Sequence, residues 1–154
     1  VNSRWFDDHL EVYHQVNMGI GTALGDQGLI VPVINDVQDM DLESIAEKLT
    51  DLTARARDHK LQPADVRGGT FTISNHGVSG SLFATPIIIN QPQSSILGIG
   101  KIEKRVKIRE IDGQDVITIR PMCYVSLTID HRVLDAFQTN AFLTAFVSEL
   151  ENWS

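Results

Sequence analysis

The sequence predicts an α/β sandwich with a mixed β-sheet, and three observations favour this fold class. Several short segments alternate apolar and polar residues, as strands do. Two long segments have apolar residues every three or four positions, as helices do. Both kinds of segment occur along one chain of 154 residues, which suits one domain with a single core. No repeat, low-complexity tract or linker divides it.

The first predicted strand lies in VNMGIGTAL at 16–24, where apolar residues alternate with small or polar ones. The turn GDQG at 25–28 separates it from the apolar run LIVPVI at 29–34. A continuous apolar run indicates a strand that is buried on both faces. Because Pro32 lacks a backbone N–H, we predict that this strand lies at a sheet edge or contains a bulge.

The first helix is predicted over 41–61, DLESIAEKLTDLTARARDHKL, from its helical periodicity. Asp41 is a favourable N-cap, and Asp51 and Arg55 have the spacing of an ion pair on one helix face. The stripe expected to face the core consists of Leu42, Ile45, Leu49, Leu52 and Ala56.

Further strands are predicted in GGTFTIS at 68–74 and MCYVSLTI at 122–129. Two short apolar runs lie in TPIIINQPQSSILGIG at 85–100. VKIREIDGQDVITIR at 106–120 is typical of a hairpin, with the Asp-Gly turn at 112–113.

The last helix follows Asp135, and DAFQ fits a capping box in which Gln138 returns to the cap. Its inward residues are expected to be Phe137, Ala141, Ala145 and Phe146 or Leu150.

The charge excludes some classes of function. The chain has 13 Lys and Arg against 20 Asp and Glu, a net charge of −7, which argues against a nucleic-acid surface. The basic segment KIEKRVKIR at 101–109 alternates with apolar residues and is interpreted as a strand with a solvated face. No apolar run approaches the roughly 18 residues that would span a bilayer.

Cys123 is the one cysteine, so no disulfide framework exists and a reducing compartment is expected. Because it lies in an apolar strand segment, we interpret it as a buried, inert thiol rather than a nucleophile.

The segment TIDHRVLDAF at 128–137 places ionisable groups after an apolar strand. His131 is a candidate general base, because the pKa of a free histidine lies near working pH. Asp130, Arg132 and Asp135 supply charges around it. A structural interpretation stays open, in which Asp130 and Arg132 form an ion pair and Asp135 caps the last helix.

Several ordered motifs resemble the catalytic domain of dihydrolipoamide acyltransferases, the core components of 2-oxo acid dehydrogenase complexes. The resemblance covers Asn2 to about Asn152. The family signature is D-H-R-x-x-D-G, and this chain has Asp130, His131, Arg132 and Asp135 in its charged positions. The motifs are GLIVPVI at 28–34, GGTFTISNHG at 68–77, TPIIINQPQSSILGIG at 85–100 and DHRVLDA at 130–136.

This resemblance implies a chloramphenicol acetyltransferase-like two-layer sandwich over residues 1–154. It also implies a catalytic domain without the lipoyl and subunit-binding domains. Family members have more catalytic-domain sequence before the first residue of this chain, so we expect an N-terminally truncated domain. Ala136 stands where the family has glycine, a change that costs little if the backbone φ is negative. A positive φ would make alanine cost about 1 kcal/mol or more. We expect a tolerated change, and a degenerate copy stays open as the alternative.

The resemblance also implies roles for three residues. His131 would take the proton from the attacking thiol, and Ser74 would donate a hydrogen bond to the oxyanion. Asp135 would order the histidine loop. The alternative for Ser74 is a strand-end serine that bonds to its own loop. The substrates would be coenzyme A and a lipoyl group carried on a separate domain, and no metal is implied.

An assembly follows from the same family. His131 would face Ser74 of the partner subunit in a homotrimer, and trimers would build a cubic or dodecahedral core. The lipoyl domain, the 2-oxo acid decarboxylase and dihydrolipoamide dehydrogenase would be partners, in a bacterial cytoplasm or a mitochondrial matrix. Trp5, Phe6 and Trp153 are candidate interface residues.

The segment GVSGSLFATPIIINQPQSSILG at 77–98 looks most like the succinyltransferases of the family. That favours a succinyl group over acetyl or branched acyl groups. His76 is a possible partner for the succinyl carboxylate, or an ordinary loop residue. Two other hypotheses stay open: a shell-forming subunit without turnover, and transfer to a drug hydroxyl as in chloramphenicol acetyltransferases.

Overall fold

The computed structural model describes residues 1–153. The helices in that part of the chain are α1 (Leu42–Arg57) and α2 (Ala136–Glu151). The strands are β1 (Ser3–Trp5), β2 (Leu10–Val12), β3 (Met18–Ile20), β4 (Thr22–Ala23), β5 (Leu29–Ile30), β6 (Val33–Ile34), β7 (Phe71–Asn75), β8 (Ser95–Ile99), β9 (Glu103–Ile111), β10 (Gln114–Met122) and β11 (Val125–Ile129).

Five strands form a central mixed sheet in the order β11-β8-β7-β3-β6. Strand β7 runs parallel to β8 on one side and to β3 on the other, and the edge strands β11 and β6 are antiparallel to their neighbours. The other strands form two-stranded ribbons, β1 with β2, β4 with β5, and β9 with β10. The predicted α/β class with a mixed sheet is confirmed.

The prediction of one continuous, doubly buried strand over 29–34 is wrong in its extent. Strand β5 pairs with β4, and β6 pairs with β3, so the run is divided at Val31 and Pro32. Proline cannot donate to a strand ladder, and the two halves therefore pair with different strands. Leu29 is 64% exposed, while Val33 and Ile34 are buried. The prediction that Pro32 marks an edge is confirmed, because β6 is an edge strand.

Helix α1 begins as predicted. The Asp41 carboxylate accepts a hydrogen bond from the Ser44 amide at 2.8 Å and caps the helix. The Arg55 Nε atom donates to Asp51 at 2.8 Å, one turn away. Both interactions are local consequences of sequence spacing, so they could be predicted without the fold.

The buried stripe of α1 is shorter than predicted. Leu52 and Ala56 are buried where the helix packs near β4 and β6. Ile45 and Leu49 are half-buried, and Leu42 is 66% exposed, so the first turn contributes little to the core of residues 1–153.

Helix α2 packs through a face that includes Phe146, as predicted, but the rest of the predicted inward face does not lie on it. Phe142 contacts Phe71 of β7, with ring centroids 5.9 Å apart, and stacks on Phe146. Phe137 is 82% exposed, and Ala141, Ala145 and Leu150 are exposed as well. Successive residues differ by about 100° around a helix, so an inward face at 142 and 146 turns 137, 141 and 145 away from the sheet.

The hairpin of β9 and β10 is confirmed, with Asp112 and Gly113 both at positive φ (52° and 74°) in its two-residue turn. The strand interpretation of 101–109 is therefore correct for Glu103–Arg109. Both faces of the hairpin are open, however. The four apolar residues on one face are between 61% and 72% exposed, and they are Val106, Ile108, Ile117 and Ile119.

The interpretation of Cys123 as buried is wrong, since its side chain is exposed. It lies in the two-residue connection between β10 and β11 instead of inside a strand. Among residues 1–153, neither helix is long and apolar enough to cross a membrane.

Leu97 lies at the centre of β8 and is 1% exposed. We expect Leu97→Ala to lower the free energy of unfolding by about 2–5 kcal/mol, because it removes buried apolar surface and leaves a cavity. Leu150→Ala, on the open side of α2, is the matched control and should change it by less than about 0.5 kcal/mol. Urea unfolding measures both. Equal losses would mean that the packing described for β8 is wrong.

Candidate active site

His131 lies on a tight turn directly after β11. The Asp130 amide donates to the Ser94 carbonyl at 2.8 Å, which fixes the start of the turn to the neighbouring strand segment. The Asp130 carbonyl then accepts hydrogen bonds from the amides of Val133 (2.9 Å) and Leu134 (3.1 Å). Leu134 is buried and anchors the end of the turn. The imidazole of His131 is therefore held on an exposed turn whose backbone is well fixed.

The charges around His131 form the structural ion pair that the sequence left open. Arg132 Nη2 lies 2.6 Å from Asp130 Oδ2, and Arg132 Nε donates to Asp130 Oδ1 at 3.0 Å. The hydrogen bond from Arg132 holds the pKa of the Asp130 carboxyl below its usual value, and the same bond raises the pKa of Arg132. Asp130 is thus oriented toward Arg132 and away from a role as partner of the imidazole.

Asp135 caps helix α2, as predicted. Its Oδ1 atom accepts hydrogen bonds from the amides of Phe137 (2.9 Å) and Gln138 (3.1 Å), and Gln138 Oε1 accepts one from the Asp135 amide at 2.8 Å. This reciprocal capping box joins the histidine turn to a helix end. Ala136 is the first helical residue and does not have a positive φ, so the family glycine is not needed for the backbone here.

Ser74 lies near the end of β7, half-buried. The loop that follows is held by other groups: Asn75 Oδ1 accepts a hydrogen bond from the Gly77 amide at 3.0 Å, and the His76 amide donates to the Ile99 carbonyl at 2.9 Å. The alternative in which Ser74 bonds to its own loop is therefore not seen in residues 1–153. A Cβ atom on Gly21 would lie 3.3 Å from Ser74 Oγ, so glycine there leaves room for the hydroxyl.

Two open cavities meet at Ser74, and both are lined by Gly21, Leu29, Ser74 and His76. The larger, about 650 Å³, extends along the last turns of α1. The smaller, about 480 Å³, extends along the apolar segment 86–90. Both volumes are in the range of small-molecule sites.

His131 lines neither cavity. Ser74 is in register with Gly98 of β8, and Gly98 is in register with Ser126 of β11, five residues before His131. Strand geometry then separates Ser74 and His131 by roughly 15–20 Å, at opposite ends of the sheet. One chain therefore does not bring the predicted base and the predicted oxyanion donor together.

Arg57 is a cavity residue that sequence reasoning missed. It lies in the last turn of α1 and lines the larger cavity with Ser74 and His76. The only sequence signal was a basic residue at a helix C-terminus, which is common because it stabilises the helix dipole. Its place in the lining of this cavity depends on how α1 packs, and periodicity alone does not specify that packing.

The model of the family 2-oxoacid dehydrogenases acyltransferase (catalytic domain) matches residues 1–154. The chain belongs to this family. The resemblance that the sequence motifs indicated is thereby confirmed.

The chain is similar to curated proteins named succinyltransferases and to others named acetyltransferases. The chain is 45% identical over 140 residues to the dihydrolipoyllysine-residue succinyltransferase component of the 2-oxoglutarate dehydrogenase complex from Rickettsia typhi, covering 91% of this chain and 33% of that protein. It is 39% identical over 153 residues to the dihydrolipoyllysine-residue acetyltransferase component of the pyruvate dehydrogenase complex from Mycobacterium bovis, covering 98% of this chain and 28% of that protein. The chain thus spans about a third of the length of these relatives.

Solved structures agree with the fold. A probable dihydrolipoamide acetyltransferase from Listeria monocytogenes has a TM-score of 0.90 and 38% identity, over 99% of this chain and 63% of that one. The cubic core of a pyruvate dehydrogenase multienzyme complex has a TM-score of 0.88 and 31% identity, over 98% of this chain and 60% of that one. A dihydrolipoamide acetyltransferase from Azotobacter vinelandii has a TM-score of 0.87 and 30% identity, over 98% of this chain and 60% of that one. Its structure was used to investigate the catalytic roles of a serine, a histidine and an asparagine. The predicted chloramphenicol acetyltransferase-like sandwich is confirmed.

The capping box of Asp135 should stabilise the histidine turn as well as α2. We expect Asp135→Ala to lower the free energy of unfolding by about 1 kcal/mol and to speed hydrogen exchange at the Val133 and Leu134 amides. Asp41→Ala removes the cap of α1 and should lower stability by a similar amount without affecting those two amides. Equal exchange in both variants would show that the cap does not order the turn.

The ion pair of Asp130 predicts a pH dependence. Because the folded-state pKa of Asp130 is lowered, its contribution to stability is present above the unfolded pKa and is lost as the pH falls through the folded pKa. Arg132→Gln should raise the folded pKa of Asp130 toward its ordinary value and reduce this contribution. An NMR titration of the Asp130 carboxyl carbon measures the change. Arg120→Gln, a charge change on the hairpin, should leave that pKa unaltered, and an unaltered pKa in Arg132→Gln would contradict the assignment.

Proposed function

We propose that this chain transfers an acyl group between a dihydrolipoyl arm and coenzyme A, within a 2-oxo acid dehydrogenase complex. The observation that carries this proposal is the placement of Ser74. In a chain of this acyltransferase family, its hydroxyl is left free by the loop and lies where two cavities meet.

The proposed chemistry divides between two side chains. His131 takes the proton from the thiol of coenzyme A, and the thiolate attacks the thioester carbonyl of the acylated arm. The C–S bond to the arm then breaks, and the departing sulfur takes the proton back from the imidazolium. Every proton is accounted for by one histidine, so no metal is required.

Ser74 is proposed to donate a hydrogen bond to the oxyanion that forms on the carbonyl carbon. A single preorganised donor of this kind is worth about 3 kcal/mol, or roughly a hundredfold in rate. Gly21 supports this role sterically, since a side chain there would crowd the Ser74 hydroxyl.

The separation of His131 from Ser74 supports an active site between subunits. The two lie at opposite ends of the sheet, so His131 of one chain is proposed to face Ser74 of the partner subunit in a homotrimer. We further propose that trimers form a larger core that works with a lipoyl domain, a 2-oxo acid decarboxylase and dihydrolipoamide dehydrogenase. The similarity to a cubic multienzyme core supports such an assembly.

We propose succinyl as the acyl group. The segment at 77–98 supports this proposal, because it looks most like the succinyltransferases of the family. Overall identity does not choose between the two acyl groups: the Rickettsia typhi relative named a succinyltransferase is 45% identical, and so is a Corynebacterium glutamicum relative named an acetyltransferase component.

Ser74→Ala should lower kcat by about a hundredfold with little change in KM, since the lost hydrogen bond exists only in the transition state. Transfer from succinyl-coenzyme A to dihydrolipoamide measures it, with the protein in its assembled state. Ser79→Ala, in the lining of the same cavity, is the control and should retain nearly full activity. An unchanged rate for Ser74→Ala would remove this residue from the mechanism.

If wild type and His131→Ala were equally inactive while still assembled, the shell-forming alternative would hold.

A mixing experiment tests the shared site. His131→Ala and Ser74→Ala subunits are each expected to be nearly inactive. When they are unfolded together and reassembled in equal amounts, about a quarter of the sites should combine an intact histidine with an intact serine from the neighbour. Activity near that level supports a site between subunits, and no recovery would contradict it.

A further inference from the structure

The larger cavity at Ser74 has an unusual charge for this chain. The chain has more acidic than basic residues and a net charge of −7. Yet the described residues that line this cavity include Arg57 and His76 and no Asp or Glu. An uncharged or cationic ligand gives no reason for this selection of side chains, whereas an anionic one does.

Arg57 is available to bind such a ligand. Within residues 1–153 its guanidinium forms no ion pair, although it is two positions from an arginine that forms two. Arg55 contacts Asp51 at 2.8 Å and Asp65 at 2.6 Å and is fully engaged. Arg57 is exposed toward the cavity side of the same helix end, with its N–H donors free to bind a carboxylate.

The threonines of the cavity do not compete for this role. The hydroxyls of Thr22, Thr50 and Thr53 donate to the carbonyls of Ile20 (3.1 Å), Ala46 (2.8 Å) and Leu49 (2.7 Å). A hydroxyl has a single proton to donate, so all three are already used. Arg57 and His76 are therefore the positively charged or chargeable donors that remain for an anion.

The rest of the lining is suited to a short aliphatic chain. Ile20, Leu29, Leu49 and Val78 contribute apolar surface to the cavity that Ser74, Arg57 and His76 share. A ligand with a carbonyl at Ser74, methylene groups across this surface and an anionic end at Arg57 would match each part of the lining.

We propose that Arg57 and His76 bind the terminal carboxylate of the acyl group and so select dicarboxylic acyl groups over neutral ones of the same length. This inference rests on the proposed acyl transfer and assigns its substrate class to two named residues. The carboxylate accepts charge-assisted hydrogen bonds from the guanidinium, and the imidazole supplies a further N–H donor.

The test compares two donors that differ only in the charged end. Succinyl-coenzyme A and butyryl-coenzyme A have the same chain length, and kcat/KM with dihydrolipoamide is measured for each. Arg57→Gln should lower the ratio of succinyl to butyryl kcat/KM by about 10- to 100-fold, the value expected for a lost hydrogen bond to a charged group. His76→Asn should lower the ratio less, and Arg57→Lys should restore part of it.

Lys48→Gln is the matched control, because it removes one positive charge from the same helix outside the cavity. It should leave the ratio unchanged. Circular dichroism melting of each variant checks that the fold is retained, and Arg57→Lys keeps the test valid if Arg57→Gln does not fold.

The outcomes separate the possible anions. Equal losses for both donors would mean that Arg57 binds the phosphates of coenzyme A or only stabilises α1, and would overturn the inference while the proposed function stands. A ratio unchanged by Arg57→Gln would overturn it as well. If wild type transferred neither acyl group, the proposed function would fail and this inference with it.

Discussion

The parallel pairing of β7 with β8 is the constraint on which the site depends. It places Ser74 opposite Gly98, which in turn lies opposite Ser126 of β11. Parallel strands are buried on both faces, and here the buried pair includes polar groups that must be satisfied. Thr72 meets this demand by donating to Gln93 at 2.6 Å. A slip of one residue would break that bond and turn Ser74 to the other face of the sheet.

The direction of each strand then determines where the two proposed site residues lie. Strand β7 carries Ser74 toward one end of the sheet, and β11, antiparallel to β8, carries His131 toward the other. No adjustment of side chains closes a gap that is set by the length of β11 and the turn after it. If His131 and Ser74 act together as proposed, the site is complete only when a second copy of the chain brings the opposite end of its sheet. Assembly would then be a condition of catalysis.

The parts of the fold that follow from local rules were predictable from the sequence. The caps at Asp41 and Asp135 and the turn at 112–113 each depend on groups within four residues of one another. The errors have a different origin. Periodicity identifies which face of α2 or of the β9–β10 hairpin is apolar, but it does not state what covers that face. Phe137 and Cys123 were assigned to a core that one chain does not provide around them. For the site, motif resemblance pointed to His131, Ser74 and Asp135. Arg57 reaches the cavity through the packing of α1, and its one sequence signal, a basic residue at a helix C-terminus, does not point to a cavity.

The proposed assembly would account for both the exposed apolar surface and the separation of His131 from Ser74. The hairpin has four aliphatic side chains on one face without cover from residues 1–153, and Phe137 at the start of α2 is also open. Contiguous apolar patches on this scale mark interaction surfaces, because leaving them in water forgoes about 25 cal/mol for each Å² that could be buried. Phe137 lies two residues after Asp135, whose carboxylate accepts a hydrogen bond from the Phe137 amide. A neighbour that covered this phenylalanine would approach the histidine turn at the same time. The burial of apolar surface and the completion of the proposed site are therefore coupled through the same helix end.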